Sequence, residues 1–353
     1  MDDLDNVVEI RKQDPEGMLE RIGELPEQLR SAWRAVSGLT LPGGYATMDN
    51  VVVLGMGGSA IGGDLVRTLL AGELRVPLEV VRDYELPAFV GPRTLAIASS
   101  YSGNTEETLT GFRGARERGA QVVVLTTDGQ LLKQAQSEGV PTVVFSYKAQ
   151  PRAALGHSLV PLLGILRAAG LVGDKGADIE EAASVLEGLR GRLNEKAPTA
   201  RNPAKQLARE LYEHLPIVYG GGLTAEVARR WKGQFNENGK AWATYDVLPE
   251  LNHNTVVGYE HPASMVEVVR IVFLATDYCH PRIKARFAVT QEILRRRGAT
   301  FFIVQAEGRS ALAQLMSSVY YGDYTSYYLA LIYGADPSPV KVIDFLKAEL
   351  AKA

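Results

Sequence analysis

Residues 99–107 have the sequence Ser-Ser-Tyr-Ser-Gly-Asn-Thr-Glu-Glu. An apolar run at 94–98 precedes this stretch and a helical pattern follows it, so the hydroxyl groups of Ser100, Ser102 and Thr105 are expected in a strand-to-helix turn. The first N–H groups of a helix lack partners within the helix and carry roughly half a positive charge, which makes this turn a candidate anion site. No Lys or Arg occurs between Arg93 and Arg113, so neutral donors would hold the anion.

The alternative for this stretch is an ordinary helix cap without a ligand, because Asn104 and Glu107 have the spacing of a capping box. The surrounding pattern favours a ligand. Apolar runs alternate with helical patterns from residue 51 onward, which predicts a parallel sheet covered on both faces. Open sheets of this kind bind ligands at the carboxyl ends of their strands. The strands are predicted at 51–54, 78–81, 94–98, 122–125 and 142–145.

The strand, glycine turn and helix occur a second time at residues 215–224. Further strands are predicted at 266–274, which could also be a helix, and at 300–304, with helices at 281–297, 310–333 and 339–351. We therefore expect an α/β protein with two flavodoxin-like three-layer domains and mainly parallel sheets. The predicted boundaries are a helical arm at 1–39, a first domain at 40–152, a helical connector at 153–199, a second domain at 200–335 and a C-terminal helix at 336–353.

Composition narrows the class of protein. Hydrophobic residues make up 46% and charged residues 22% of the 353 residues, values of a soluble globular protein. The net charge of −3 favours neither nucleic acid nor a membrane surface as a partner. No apolar run approaches the roughly 18 residues of a membrane span, and the N-terminus lacks the pattern of a signal peptide. The single cysteine, Cys279, excludes an intrachain disulfide and a cysteine metal cluster, so a cytoplasmic location is expected.

A glycine-rich turn follows the first predicted strand at residues 55–64. Gly55, Gly57 and Ala60 match the G-x-G-x-x-A fingerprint of dinucleotide-binding folds, and Asp83 could bind a ribose. An NAD-dependent dehydrogenase is therefore one alternative. Ser59, however, adds a hydroxyl group at the start of the helix. Two hydroxyl-bearing turns that converge suit a compact phosphate better than an extended pyrophosphate.

The two turns resemble those of the sugar isomerase (SIS) fold, and the pair of domains resembles the bifunctional phosphoglucose/phosphomannose isomerase family over residues 45–350. The resemblance implies two SIS domains, a hexose 6-phosphate substrate, no cofactor, and a homodimer whose active site lies at the subunit interface. Each hydrogen bond to a charged group contributes about 1.5–3 kcal/mol, so four hydroxyl groups could hold the phosphate without a cation. The implied phosphate-binding residues are Gly57, Gly58, Ser59, Ser100, Ser102 and Thr105.

Arg152 follows the last predicted strand of the first domain, in the sequence Gln150-Pro151-Arg152. The resemblance implies that its guanidinium group reaches the site and stabilises negative charge on the sugar oxygens. The alternative is a surface arginine after a proline turn.

Residues 234–240, Gln-Phe-Asn-Glu-Asn-Gly-Lys, end the helix that begins near Leu223, because Asn238-Gly239 is a helix stop signal. Glu237 is thus expected in the last helical turn, where the helix dipole disfavours a carboxylate by about 0.3–1 kcal/mol. This position suits a general base. A solvated glutamate neutralised by Lys240 is the alternative. The resemblance implies that Glu237 moves the proton between C1 and C2 of the sugar.

His253 lies in the sequence Glu-Leu-Asn-His-Asn at residues 250–254. The flanking asparagines could fix the tautomer of its ring by hydrogen bonds, so that it serves as an acid or base. A structural loop histidine is the alternative. The resemblance implies that His253 opens the pyranose ring and is contributed by the neighbouring subunit.

The predicted C-terminal helix supplies a candidate lysine. At about 100° per residue, Lys347 falls within an apolar stripe and is expected to point inward, whereas Lys341 falls on the opposite face. The family uses a C-terminal lysine near the ring oxygen and hydroxyl groups of the sugar, and we assign that role to Lys347. The alternative is a lysine that lies along the stripe with its ammonium group in water. The stripe consists of Val340, Ile343, Leu346 and Leu350.

Together these features predict an aldose–ketose isomerase that interconverts glucose 6-phosphate, mannose 6-phosphate or both with fructose 6-phosphate through a cis-enediol. No metal is expected, because the sequence contains no cluster of histidines and carboxylates with ligand spacing. A non-catalytic sugar-phosphate-binding regulator of the same fold is the main alternative. The pair of Glu237 and His253 favours the enzyme, since a regulator has no chemical need for it.

Overall fold

A computed structural model describes residues 3–45, 47–350 and 352. The last residue of the helix predicted at 339–351 lies outside these ranges. The strands are β1 (Asn50–Leu54), β2 (Leu78–Val81), β3 (Thr94–Ser100), β4 (Gln121–Thr126), β5 (Thr142–Val144), β6 (Leu215–Gly221), β7 (Thr244–Leu248), β8 (Val269–Ala275) and β9 (Phe301–Gln305). The helices are α1 (Val7–Gln13), α2 (Met18–Gly23), α3 (Leu25–Val36), α4 (Gly57–Leu69), α5 (Glu106–Glu117), α6 (Gly129–Ser137), α7 (Leu155–Ala168), α8 (Gly176–Leu193), α9 (Pro203–Leu211), α10 (Ala225–Glu237), α11 (Met265–Val268), α12 (Pro281–Arg297), α13 (Ala311–Ile332) and α14 (Lys341–Leu350).

The chain divides into two compact units. The first unit comprises residues 24–187 and 307–317, and the second comprises residues 1–23, 188–306 and 318–353. These ranges follow from contacts within the chain, and the domain boundaries given above stay a prediction. Among the described residues, no helix has both the length and the apolar character needed to cross a membrane.

The first unit contains a five-stranded parallel sheet in the order β2-β1-β3-β4-β5. All five strands were predicted from their apolar runs. The central strand β3 is buried along its whole length, as expected for a parallel sheet covered on both faces. Helices α5 and α6 bury Phe112 and Leu131 against one face of the sheet. Helix α4 contacts β1, β2 and β3, and α7 packs on α3 and α4.

The second unit contains a four-stranded parallel sheet in the order β7-β6-β8-β9. Helix α12 covers the face that carries Tyr219 and Phe273, and α10 contacts β6 and β7. The segment 266–274, which the sequence left open between strand and helix, contains both, because α11 ends at Val268 and β8 begins at Val269. Strand β7 was not predicted, since its sequence Thr-Tyr-Asp-Val-Leu has no apolar run.

Helix α14 has no buried residue among those described. The residues of the apolar stripe that lie within α14 are exposed, with Leu346 at 55% and Leu350 at 60% of full exposure, whereas Val340 before the helix is half-buried. Lys341 and Lys347 are both exposed as well. The expected inward orientation of Lys347 is therefore wrong for the chain by itself, because the stripe that was to carry it inward does not pack on this chain's core. The role of Lys347 stays a prediction.

Candidate active site

The two hydroxyl-bearing turns of the first unit meet, as predicted. The Oγ of Ser59, in the first turn of α4, accepts a hydrogen bond of 3.0 Å from the N–H of Tyr101 in the turn after β3. Both turns leave the carboxyl ends of neighbouring strands, since β1 and β3 are paired in parallel. The structure thus brings the hydroxyl groups of two helix openings to one edge of the sheet.

The turn after β3 is closed by its own hydroxyl groups. Ser100 Oγ lies 3.0 Å from Thr105 Oγ1 and accepts a 3.1 Å hydrogen bond from the N–H of Gly103. Ser102 Oγ accepts from the N–H of Asn104 at 3.2 Å. Gly103 has φ +65°, and a Cβ atom there would collide with the carbonyl oxygen of Asp128, so only glycine fits. These contacts fix the positions of the hydroxyl groups before any ligand arrives.

The capping box considered for this turn is wrong. The side chain of Asn104 donates to the carbonyl oxygen of Ser102 at 3.0 Å, and its Oδ1 accepts from the N–H of Gln130 at 3.0 Å. Thr105, the residue that precedes α5, has its hydroxyl group beside Ser100. Both residues that could cap α5 are therefore engaged elsewhere, which favours a ligand at the helix N-terminus.

Arg152 is buried, with 3% of full exposure, in a 3₁₀ turn at Pro151–Ala153. The surface arginine that the sequence allowed is therefore wrong. This turn packs on the first turn of α4, because a Cβ atom on Gly58 would lie 2.9 Å from the carbonyl carbon and oxygen of Pro151 and 3.1 Å from the N–H nitrogen of Arg152. The arginine backbone thus touches the glycine turn that also carries Ser59.

Two residues that the sequence did not single out support this turn. Gln28 of α3 donates to the carbonyl oxygen of Ala153 at 2.8 Å and accepts from the N–H of Gly156 at 3.1 Å. His157 stacks on Phe145 with 5.3 Å between ring centroids, and burial lowers its pKa. The buried polar side chain of Gln28 has no local sequence signal, because its partners lie more than a hundred positions away in the chain.

Glu237 is the last residue of α10, as predicted, and its side chain is half-buried. Polar side chains hold the chain on both sides of it. Asn236 Nδ2 donates to the carbonyl oxygen of Ala241 at 2.9 Å, and the buried Asn238 donates to Ser326 Oγ at 3.2 Å. Lys240 Nζ donates to the main-chain oxygen of Glu237 at 2.5 Å. The ammonium group of Lys240 therefore binds a carbonyl group at the C-terminus of α10.

His253 ends a 3₁₀ turn at Glu250–His253 and is exposed. The expectation that its asparagine neighbours fix the ring is wrong. Asn252 donates to Thr290 Oγ1 at 2.8 Å and accepts from Arg286 Nη1 at 3.2 Å, which anchors the turn to α12. Asn254 donates to Glu250 Oε1 at 2.9 Å. The amide groups of Asn252 and Asn254 thus hold the loop.

Within the second unit, the topology places Glu237 and His253 towards opposite edges of the sheet. Helix α10 connects the carboxyl end of β6 to the amino end of its parallel neighbour β7, so it runs against the strands. Glu237 therefore lies towards the amino edge of the sheet, and His253 follows the carboxyl end of β7. The four steps between the five residues of β7, at about 3.3 Å each, separate the two edges by about 13 Å.

Two parallel α/β units, with hydroxyl-bearing helix openings and a buried arginine in the first, define the class of SIS sugar-phosphate proteins. Residues 200–350 match the family model described as the bacterial phospho-glucose isomerase C-terminal SIS domain. The chain is 41% identical over 336 residues to the bifunctional phosphoglucose/phosphomannose isomerase of Caldicellulosiruptor bescii, an alignment that covers 95% of this chain and 99% of that protein. It is 37% identical to the enzyme of the same name from Aquifex aeolicus, covering 86% and 90% of the two chains.

Among solved structures, the glucose-6-phosphate isomerase like protein from Thermus thermophilus superposes with a TM-score of 0.63 at 25% identity, covering 96% of this chain and 99% of that one. The protein therefore belongs to the bifunctional phosphoglucose/phosphomannose isomerase family. The family and the SIS fold expected from the sequence are both confirmed.

Proposed function

We propose that this protein is an aldose–ketose isomerase that interconverts glucose 6-phosphate and mannose 6-phosphate with fructose 6-phosphate. The names of the relatives, which match nearly the whole chain, support both activities. The observation that carries the proposal is the meeting of two hydroxyl-bearing helix openings beside the buried Arg152. The proposal includes a cytoplasmic location and two SIS domains at 40–152 and 200–335.

The first unit would hold the phosphate. Its oxygens would accept hydrogen bonds from the first N–H groups of α4 and α5 and from four hydroxyl groups, once the bond between the Ser100 and Thr105 hydroxyl groups is exchanged for bonds to the ligand. Hydrogen bonds to a charged group contribute about 1.5–3 kcal/mol each, so this set suffices without a lysine. Arg152 would lie beside the phosphate site and stabilise negative charge on the sugar oxygens. The hydroxyl groups are those of Ser59, Ser100, Ser102 and Thr105, with Gly57 and Gly58 at the start of α4.

The proton transfer is assigned to Glu237. His253, assisted by Lys347, would protonate the ring oxygen while the hydroxyl group at C1 loses its proton, which opens the pyranose to the aldehyde. The carboxylate of Glu237 would then take the proton from C2. The electron pair of that C–H bond forms the C1=C2 double bond, and O1 takes up a proton, which gives the cis-enediol. Return of the first proton from Glu237 to C1 and loss of the proton from O2 give the ketose. Glucose and mannose 6-phosphates differ only at C2 and give the same enediol, so one base could serve both if the sugar rotates about C2–C3.

A single chain supports this chemistry poorly, because Glu237 and His253 lie at opposite edges of the second sheet. We therefore propose a homodimer in which the neighbouring subunit supplies His253. The exposure of His253 and of the apolar stripe of α14 supports a second copy at these surfaces. Lys347 belongs to that helix and would approach the sugar there, with Lys341 as the alternative.

A heterodimer of two inactive variants tests this arrangement. Glu237→Gln and His253→Ala carry different tags and are co-expressed, so that two affinity steps isolate the mixed dimer. One of its two sites then contains both wild-type groups, and we expect about half of the wild-type rate. The homodimers of each variant, purified in the same way, are the controls. A mixed dimer as inactive as its parents would place both groups in one chain or remove one of them from the site.

Fructose 6-phosphate formation from both aldoses, followed in a coupled assay, tests the function itself. We expect turnover with each substrate. Binding of both sugar phosphates without any product would instead indicate a regulator. Reduction of NAD⁺ by the sugar phosphate, with the purified protein present and no coupling enzyme, would indicate a dehydrogenase.

Chelation is expected to leave the isomerase rate unchanged. Among the described residues, no group of three or more His, Cys, Asp or Glu side chains has the arrangement of a metal site. The measurement is the coupled assay after dialysis against EDTA, with a metal-free coupling enzyme checked separately. An activity that returned only on addition of zinc or manganese would contradict the proposed mechanism.

A further inference from the structure

A chain of buried hydrogen bonds joins α13 to the helix that carries Glu237. The carboxylate of Asp323 accepts from Arg230 Nη2 at 2.9 and 2.8 Å, one bond to each oxygen, and from Gln234 Nε2 at 2.8 Å. Ser326 Oγ donates to the main-chain oxygen of Asp323 at 2.9 Å and accepts from Asn238 Nδ2 at 3.2 Å. All of these side chains are at least 95% buried.

The residues of α10 and its C-terminus that take part in this hydrogen-bond network lie on one side of the helix. Arg230, Gln234 and Asn238 are four residues apart, so they form one row along the helix. The row ends one residue beyond Glu237. A rotation of α10 about its axis, or a shift along it, would break bonds to α13 and would move the Glu237 side chain with the helix.

The two helices are also in close contact at this level. A Cβ atom on Gly322 of α13 would collide with the indole ring of Trp231, which lies fully buried on α10. The indole N–H donates to the main-chain oxygen of Ser318 at 2.9 Å. Close packing fixes the distance between the helices, and the directional bonds of Asp323 and Ser326 fix the rotation of α10 against α13.

Stability alone is a weak reason for such a network. A buried ion pair contributes little net stability, and well-packed apolar residues of similar volume are often as good or better. The position of a reacting group is a stronger reason, because a displacement of about 1 Å can lower a rate by about 10²-fold. Asp323 and Ser326 lie outside the Gln234–Lys240 and Glu250–Asn254 motifs that the sequence singled out.

We propose that Asp323 and Ser326 are positioning residues for the catalytic carboxylate of Glu237. They act through Arg230, Gln234 and Asn238, and they do not touch the substrate. This inference rests on the proposed role of Glu237 as the base. Its signature is a fall in kcat with little change in KM, since the phosphate would still be bound by the first unit.

Ser326→Ala is the first test. It removes the acceptor of Asn238 and the bond to the Asp323 carbonyl. Thr325→Val is the matched control, because the buried Thr325 hydroxyl donates at 2.8 Å to Tyr321 within its own helix. Both variants lose one hydroxyl bond to the α13 backbone, but only Ser326→Ala loses a contact with α10. We expect kcat to fall about tenfold in Ser326→Ala, with KM within about twofold, and Thr325→Val to keep the wild-type kcat at a similar melting temperature.

Asp323→Asn is the second test, and it is assayed below its own melting temperature because it leaves the buried Arg230 guanidinium without its carboxylate partner. The amide keeps the shape of the carboxyl group but loses the charge that faces Arg230, and we again expect a lower kcat at nearly constant KM. Each variant is also combined with Glu237→Gln. With no carboxylate left to position, Ser326→Ala should lower the residual rate of Glu237→Gln by less than about twofold.

The outcomes separate this inference from the proposed function. Wild-type kcat in folded Ser326→Ala and Asp323→Asn, with Glu237→Gln inactive, would overturn the positioning role alone. An equal fall of kcat in Thr325→Val and Ser326→Ala would also overturn it, because general loosening of α13 would then explain the effect. An active Glu237→Gln would instead overturn the assignment of the base.

Discussion

Glu237→Gln is expected to lower kcat by about 10²–10⁴-fold for both aldoses, the range that a positioned general base supplies. The amide is of the same size as the carboxyl group but cannot accept the proton from C2. Substrate affinity should stay within about threefold, because the proposed phosphate contacts belong to the first unit. The measurements are the coupled assay and titration calorimetry with fructose 6-phosphate.

Exchange of the transferred proton with solvent is a second measurement of the role of Glu237. Isomerisation in deuterium oxide should incorporate deuterium at C2 of the aldose, and Glu237→Gln should lose this exchange together with turnover. Glu226→Gln is the matched control, since Glu226 lies in the first turn of the same helix and pairs with Arg229 at 3.5 Å. Retention of more than about one per cent of the wild-type kcat in Glu237→Gln would remove Glu237 from this role.

Gly58→Ala is expected to lower kcat/KM by about 10²-fold, mainly through a higher KM. The added methyl group would lie 2.9 Å from the carbonyl carbon and oxygen of Pro151, both of which are main-chain atoms. The turn with Arg152 and the first turn of α4 must then separate. The N–H groups and hydroxyl groups that are proposed to hold the phosphate would no longer converge, and a displacement of about 1 Å is enough for a loss of this size.

Gly62→Ala is the control for Gly58→Ala. It makes the same change about one turn further along α4, where the methyl group would meet Ser158 at 3.0–3.1 Å. It should lower the melting temperature and leave KM within about twofold. A folded Gly58→Ala variant with wild-type KM for both sugar phosphates would contradict the proposed phosphate site.

The sequence predicted those strands and helices that are marked by apolar runs or by terminal proline and glycine residues. The five strands of the first unit are apolar runs, and β2 spans the predicted residues 78–81. Helix α12 likewise has the predicted bounds, because Pro281 can begin a helix and Gly298 adopts φ +75° at its end. Strand β7 was not predicted because Asp246 interrupts its apolar residues. It lies at the edge of the sheet, where hydrogen bonds to the backbone of β6 define it as a strand.

The asparagines show where local reasoning failed. Asn104, Asn252 and Asn254 were interpreted through their neighbours in sequence, as a cap and as partners of a histidine. Two of them instead bond to groups on other elements, Asn104 to Gln130 and Asn252 to Thr290, and Asn254 bonds to Glu250. An amide has donors and acceptors that suit many partners, so the sequence shows its capacity and the tertiary neighbours select its use.

The sequence by itself determined the family, the parallel sheets, the hydroxyl-bearing turn at 99–107 and the helix end at Glu237. Strand periodicity, glycine conformation and helix termination depend on residues only a few positions apart. The tertiary structure alone decided that Arg152 is buried beside Gly58 and that Asp323 and Ser326 bond to α10 and to Asn238 at its end. It also decided that, in the part of the chain that the structure describes, α14 has no buried residue. Burial and long-range hydrogen bonds depend on which elements become neighbours in space, and no stretch of a few residues specifies that.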